Sequence, residues 1–402
     1  MSMLTVEEAI ARILVGVAPL APETVPLAAA GGRVLAAPVR ATLTQPPFDA
    51  SAMDGYAVRA ADVAKLPATL AVIGEAAAGS GFRGRLGSGE AVRIFTGAPV
   101  PDGADAIVIQ ENTKRDGATV RVVDGKPDPE HVRPRGGDFA EGQELLATGR
   151  VLDARAITLA AAMGHATLSV RRRPVVAILS TGDELVQPGE RPGPDQIVAS
   201  NSFGLAAMVA GYGGAPRVLP VARDTKASLN ACLDQAAGAD ILVTTGGASV
   251  GDHDIVAPVM RERGMDLDFW KIAMRPGKPV FFGHYDAMRV LGLPGNPVSA
   301  LICGRVFAVP LVRALMGLAP DCWTRRRAVT THDLGSNGPR AHFMRATLTD
   351  DPAGGLPSLS TACSQDSSLL KPLAEANCLI VRPIKAAALP AGSEIEVLVA
   401  DF

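Results

Sequence analysis

The chain has 402 residues, 48% hydrophobic and 20% charged, with a formal net charge of −2. That composition belongs to a globular chain with ample core, about two to four domains long, and argues against disorder. The near-neutral balance gives no electrostatic reason to expect a nucleic acid or an anionic membrane as partner, so an anionic ligand has to be held by local basic groups.

The five cysteines, Cys232, Cys303, Cys322, Cys363 and Cys378, are scattered and form no CxxC pair. A disulfide framework or zinc site is therefore not expected, and a reducing cytoplasm suits the chain. No N-terminal stretch pairs basic residues with an apolar core and a cleavage site. The apolar stretch 156–170 is short for a membrane span. The expectation is a soluble cytoplasmic protein.

In chain order, residues 1–18 read as a helix. Thr5 and Glu8 form a capping box, and Val6, Ala9, Ile10, Ile13 and Leu14 share one face. Residues 19–45 read as short extended segments. Pro46 and Pro47 open an irregular linker in which Asp54-Gly55 is a turn signal, with Asp54 bonding nearby backbone. From about 59 to 139 the pattern is β-rich, with strands expected at 69–73, 91–95, 106–110 and 119–123. The loop Thr96-Gly97-Ala98-Pro99 is stiffened by proline, and Arg133-Pro134-Arg135-Gly136-Gly137-Asp138 reads as an exposed connection. Residues 140–172 return to mixed character. The expected plan is a small split domain, 19–45 with 140–172, interrupted by a β-rich insertion at 46–139.

From residue 173 the texture changes. Apolar runs at 175–179, 218–221, 241–243 and 290–293 resemble strands buried on both faces, with helical patterns between them. The clearest helix carries Leu229, Cys232, Leu233 and Ala236 at helical spacing. This predicts a multidomain α/β plus β chain whose core, 173–319, is a doubly wound, mostly parallel sheet. Its last helix opens with Asn296 as N-cap and Pro297 at the first helical position. Residues 320–402 read as a C-terminal β-barrel-like domain.

Ligands of open α/β sheets bind beyond the carboxyl ends of the strands. The first such end carries Ser180, Thr181, Gly182, Asp183 and Glu184, and the second Arg223 and Asp224. The third carries Gly246, Gly247, Ser249, Gly251, Asp252 and Asp254, and the last Pro294, Gly295 and Asn296. A glycine turn entering a helix fits either a tight βα connection or an anion cradle. Asp224 and Asp254 fit N-caps or functional acids. Acids gathered at one edge repel one another unless a cation or proton is shared, and Mg²⁺ would resolve that. The loop Lys271-Ile272-Ala273-Met274-Arg275-Pro276-Gly277-Lys278-Pro279 alternates cations with stiffening residues. Facing such a crevice, it suits an anionic ligand with a metal-bridged phosphate. There is no Walker A sequence, GxSxG elbow or His-rich cluster, and His253 is a lone loop histidine.

The motifs PPFDASAMDGYAV, RIFTGAPVPDGADAIVIQE, RPRGGDFAEG, STGDEL, TTGGASVGDHD, RPGKP and GLPGNPVSA, in this order, resemble the MoeA family of molybdopterin molybdenumtransferases, which includes the gephyrin E domain. The resemblance spans essentially the whole chain and is thinnest after residue 320. It implies Mg²⁺-dependent insertion of molybdate into adenylylated molybdopterin with release of AMP, by a homodimer whose active site is shared between subunits. Partners among other molybdenum-cofactor biosynthesis proteins are compatible with it.

By motif matching, Glu184, Asp224 and Asp254, with Asp183 beside them, position Mg²⁺ and the phosphoanhydride. Gly246, Gly247, Ser249 and Gly251 cradle the pterin phosphate, and Ser180, Thr181 and Gly182 belong to the substrate-binding set. Lys271, Arg275 and Lys278 hold the anionic substrate or molybdate, with Pro294 and Asn296 at the same edge. Many relatives carry Lys at the position of Arg275, which keeps the charge but not the fork geometry. Asp54, Thr96 and Asp138 match positions that the partner subunit contributes, and Ser367 and Arg345 complete an oxyanion pocket. The alternatives are a non-catalytic molybdopterin-binding scaffold and the related molybdopterin adenylyltransferase.

Overall fold

A computed structural model describes residues 3–247 and 255–402. The chain divides into two units, Thr24–Val170 and the larger Met1–Glu23 with Arg171–Phe402.

The smaller unit is built on a six-stranded sheet in the order Ala106–Ile109, Gly55–Val58, Glu90–Ile94, Ala68–Ala76, Thr119–Val122, Thr113–Asp116. Neighbours run antiparallel except the pair Ala68–Ala76 and Glu90–Ile94. Gly55–Val58, read from sequence as part of an irregular linker, is a fully buried strand of this sheet. The glycine is what permits it: a Cβ on Gly55 would sit 2.0 Å from the Val108 carbonyl oxygen of the neighbouring strand. A second core in this unit joins its two ends, packing Val25, Leu35 and Val39 against Phe139, Leu152 and Met163. The helix Ala154–Ala162 lies there, capped by Asp153.

The larger unit holds a six-stranded sheet in the order Ala215–Val218, Val175–Ser180, Ile241–Thr245, Met288–Leu293, Phe281–Tyr285, Asp266–Trp270. The first four are parallel, and the last two add antiparallel pairs. The second strand expected at 218–221 lies instead at Ala215–Val218, on the sheet edge and largely exposed. An edge strand covered on one side has no need of a continuous apolar run, so the buried-strand pattern pointed three residues too far along. The N-terminal helix Val6–Leu14 belongs to this unit. Its capping box is present in both directions, and Arg12 pairs with Asp268 at 2.9 Å.

The last helix of the α/β part runs through Pro297–Cys303, a π-helical turn Gly304–Ala308 and Val309–Leu315. It is long and apolar enough to cross a membrane, yet 83% of it is buried within the protein. Arg305, on the π turn, is wholly buried, paired with Asp401 and stacked on Trp323 with the guanidinium carbon 3.6 Å from the ring centre.

Beyond it, five strands close into a barrel: Ala341–Thr349, Ser358–Thr361, Arg325–Thr330, Glu394–Val399 and Cys378–Arg382, the last pairing back to the first. The short strand Met274–Arg275 of the basic loop pairs in parallel with Ala341 and His342 at one end of that barrel.

Candidate functional site

Two cavities meet at the carboxyl edge of the parallel sheet. The first, about 460 Å³, is lined by Ser180, Thr181, Glu184, Gly246, Gly295 and Asn296, with Ile197, Val198 and Asn201 opposite. Strand pairing brings Ser180 level with Thr245, and their hydroxyls bond at 3.1 Å. Gly246 takes φ +89°, and a Cβ there would lie 2.7 Å from the Thr181 carbonyl oxygen, so no other residue fits without moving backbone. Gly247, next in the turn, also has positive φ. Ile197 and Val198 are exposed apolar side chains. The lining thus combines polar strand-end groups with exposed apolar side chains, as small-molecule pockets do. Asn201 and Ile197–Val198 had no sequence signal, because they come from the Glu184–Asn201 excursion rather than from a strand end.

The acids expected to share a metal are arranged differently from a simple cluster. Glu184 lines the first cavity. Asp183 and Asp224 are exposed and face each other's backbone: the Asp224 N–H donates to Asp183 Oδ1 at 3.1 Å, and the Asp183 N–H to Asp224 Oδ2 at 3.4 Å. Asp224 is therefore not the helix cap; Thr225 holds that position, accepting from the Ser228 N–H. Among the described residues no three ligating side chains converge on one point. Ser249, Gly251, Asp252, His253 and Asp254 lie outside the described residues.

The second cavity, about 650 Å³, is polar and basic. Arg275, Lys278 and Arg340 supply its charge, and Ser299, Asn296 and Ser367 its uncharged polar groups, with Pro294 in the wall. Backbone bonds from Lys271 to Val280 and from Ile272 to Lys278 close the base of the basic loop. Its one carboxylate, Asp366, accepts from the backbone and hydroxyl of Ser368, and those bonds hold its pKa below the usual value. Arg340 was missed in the sequence as a lone arginine after a turn; only the pairing of Met274 with Ala341 brings it beside Arg275.

Two placements depart from expectation. Lys271 lines neither cavity; it sits at the base of its loop with φ +81°. Arg345 does not reach the oxyanion pocket either. It is 1% exposed, and its guanidinium donates to the carbonyls of Leu369 at 2.9 Å, Ser364 at 2.9 Å and Asp366 at 2.8 Å. Gln365 bonds both the N–H and the carbonyl of Arg345. As an odd-numbered residue of its strand, Arg345 points away from the barrel core and under the 364–369 loop, so it shapes the pocket from below.

Two hydrogen bonds tie the edges of the two cavities together: Asn296 Nδ2 donates to Ser367 Oγ at 2.7 Å, and the Val298 N–H donates to the Ser367 carbonyl at 3.1 Å. The side chain of Asn296 thus leaves its own helix uncapped and reaches across to the barrel loop.

On the smaller unit, Asp54 Oδ1 accepts from both the N–H and the hydroxyl of Thr96, each at 2.8 Å. These bonds, the backbone one first, lower the Asp54 pKa, with Arg93 assisting. The partner is 42 residues away, so Asp54 is not the local turn residue that its Asp-Gly context suggested. Asp138 is exposed, with its amide on the Gln45 carbonyl.

Three family models match in tandem: "MoeA N-terminal region (domain I and II)" over residues 4–164, "Probable molybdopterin binding domain" over 177–314 and "MoeA C-terminal region (domain IV)" over 327–400. A molybdopterin molybdenumtransferase of Nostoc is 38% identical over 94% of this chain and 88% of its own length. The chain belongs to the molybdopterin molybdenumtransferase family. A second relative, molybdopterin molybdenumtransferase 2 of Mycobacterium tuberculosis, is 40% identical over 94% of each chain. The crystal structure of a molybdopterin biosynthesis MoeA protein from Pyrococcus horikoshii matches with a TM-score of 0.84 and 31% identity, covering 99% of both chains. The family's α/β and barrel architecture is therefore present throughout, and both cavities lie within the regions matched by the second and third models.

Proposed function

We propose that this protein inserts molybdate into adenylylated molybdopterin, cleaving the phosphoanhydride and releasing AMP. The observation that carries the reading is the pair of joined cavities. One has a glycine turn, hydroxyls and apolar side chains fit for a heterocycle with its phosphate; the other has three cations and serine hydroxyls fit for a tetrahedral oxyanion. Relatives named molybdopterin molybdenumtransferase, aligned over 88% and 94% of their own length, support the coarser part of this reading.

Mg²⁺ suits the acids that are present. It binds through one or two carboxylates plus substrate phosphates rather than in an all-protein cage, and Asp183, Glu184 and Asp224 offer that partial set. Bound there, it would neutralise phosphate charge. The chain's own groups do the rest: Gly246 and Thr181 let backbone approach the phosphate, and Arg275, Lys278 and Arg340 hold the oxyanion. Asn296 and Ser367 form the wall between. Asp54, whose carboxylate accepts two hydrogen bonds from Thr96, and Asp138 are read as the contribution of a second copy in a homodimer. A cytoplasmic location accords with five free cysteines.

AMP release from adenylylated molybdopterin, followed with molybdate and Mg²⁺, tests the reading. Asp224→Asn should lower the rate at least 100-fold without changing thermal unfolding, since the exposed carboxylate contributes little to the fold. Full molybdopterin binding with no AMP from the wild-type protein would instead favour a non-catalytic scaffold.

A further inference from the structure

The barrel has a third cavity that the reaction does not use. Alternation along Ala341–Thr349 and Cys378–Arg382 sends Ala346, Leu348, Cys378 and Ile380 into the barrel core. The same alternation puts His342 and Arg382, which are register partners, on the inner face at the barrel mouth. They line a cavity of about 230 Å³ with His332, Ser336, Met344 and Thr361.

Arg382 is only 3% exposed. Its Nη2 donates to the carbonyls of Gly335 and Ala387, while Nη1 is buried without a partner. Among the described residues no ion pair engages this guanidinium; Asp333, at the rim, gives an oxygen to the Ala391 N–H instead. A charge taken out of water with neither counter-charge nor full hydrogen bonding is costly, and carbonyl dipoles on one nitrogen offset part of that cost only.

We propose that the barrel mouth binds a small inorganic oxyanion, with the Arg382 guanidinium supplying the positive charge and the side chains of Ser336 and Thr361 within the same walls. The volume falls below the roughly 300 Å³ at which pockets for drug-sized ligands begin, so a few-atom ion suits it better than an organic molecule. A metal cation fits poorly despite His332, His342 and Met344, because Arg382 brings a fixed positive charge into the same space. His342 reinforces the point: burial, and after it Arg275, Arg340 and Arg345, lower its pKa to about 4. It therefore stays neutral and adds no competing charge at neutral pH.

The test uses the full-length protein carrying Lys278→Ala and Arg340→Ala, which disable the oxyanion pocket at the sheet edge. Isothermal titration with sulfate, phosphate and molybdate should then still show one anion bound per chain. Sulfate and phosphate binding as well as molybdate would mark a general oxyanion site; molybdate alone would mark one tuned to the metal oxyanion. Ser336→Glu, at an exposed rim position, should weaken binding at least tenfold while leaving thermal unfolding in chloride unchanged. Arg382→Met should do the same, and if it fails to fold, Ser336→Glu decides alone. No binding of any of the three anions in that background, or unaltered affinity in either folded variant, overturns the proposal. AMP release by the wild-type protein is indifferent to this result, so the two readings fail separately.

Discussion

Arg345 offers the sharpest test of how the oxyanion pocket is held. It touches no part of the cavity, yet three carbonyls of the loop that forms one wall depend on its guanidinium. Replacement by lysine keeps the charge and loses the fork: one ammonium cannot reach Leu369 on one side and Ser364 with Asp366 on the other. At least one of three hydrogen bonds to a charged group is lost, and each such bond is worth about 1.5–3 kcal/mol. The loop carbonyls can recover some hydration, so a stability loss near the lower figure is expected. If the same energy also positions Ser367 and its neighbours, the affinity for molybdate falls about tenfold, since 1.4 kcal/mol is one decade. Equilibrium unfolding in urea gives the first number, and the KM for molybdate in AMP release gives the second. A positioning role predicts a raised KM with kcat within about threefold of wild type. Arg345→Lys with unchanged KM and unchanged unfolding would refute the reasoning.

Two further outcomes are expected. Gly246→Ala should cost about 1–3 kcal/mol in stability, because alanine at φ +89° is strained and its Cβ meets the Thr181 carbonyl; urea unfolding measures it, and a cost below about 0.5 kcal/mol would contradict the crowding. His342 should make the fold acid-sensitive. Its folded pKa lies near 4 and its ordinary value is 6.5, so the unfolded chain binds more protons between them. Its contribution to stability is therefore whole above pH 6.5 and is lost progressively as pH falls toward 4; His342→Phe should flatten the stability profile across that window.

Much of this architecture was legible because local chemistry and tertiary role coincide. Thr5 and Glu8 cap a helix in any context, and the strands at Ala106–Ile109 and Ile241–Thr245 carry apolar runs bounded by turn residues. Legibility failed where a neighbour distant in sequence decides the outcome. Gly55 looks like a turn residue until Val108 is laid against it. The antiparallel pair Asp266–Trp270 and Phe281–Tyr285 carries no sheet signal strong enough to separate it from the basic loop between. The candidate site divides in the same way. Arg275, Lys278 and the strand-end hydroxyls announce themselves by frame and spacing. Arg340 depends on a barrel strand docking onto the loop, and the true role of Arg345 depends on which face of its strand is outward.

The bond between Asn296 and Ser367 carries a consequence for traffic. It is a single neutral hydrogen bond at an exposed edge, of a kind worth about 0.5–1.5 kcal/mol. An energy of that size changes a population by only about fivefold, so the two side chains part often on the timescale of rotamer motion. The backbone bond from the Val298 N–H to the Ser367 carbonyl stays in place when those side chains part, so the wall keeps its frame and only the Asn296 contact opens as a latch. The one side chain common to the linings of both cavities among the described residues, that of Asn296, can thus turn while helix and barrel loop stay joined through their backbones.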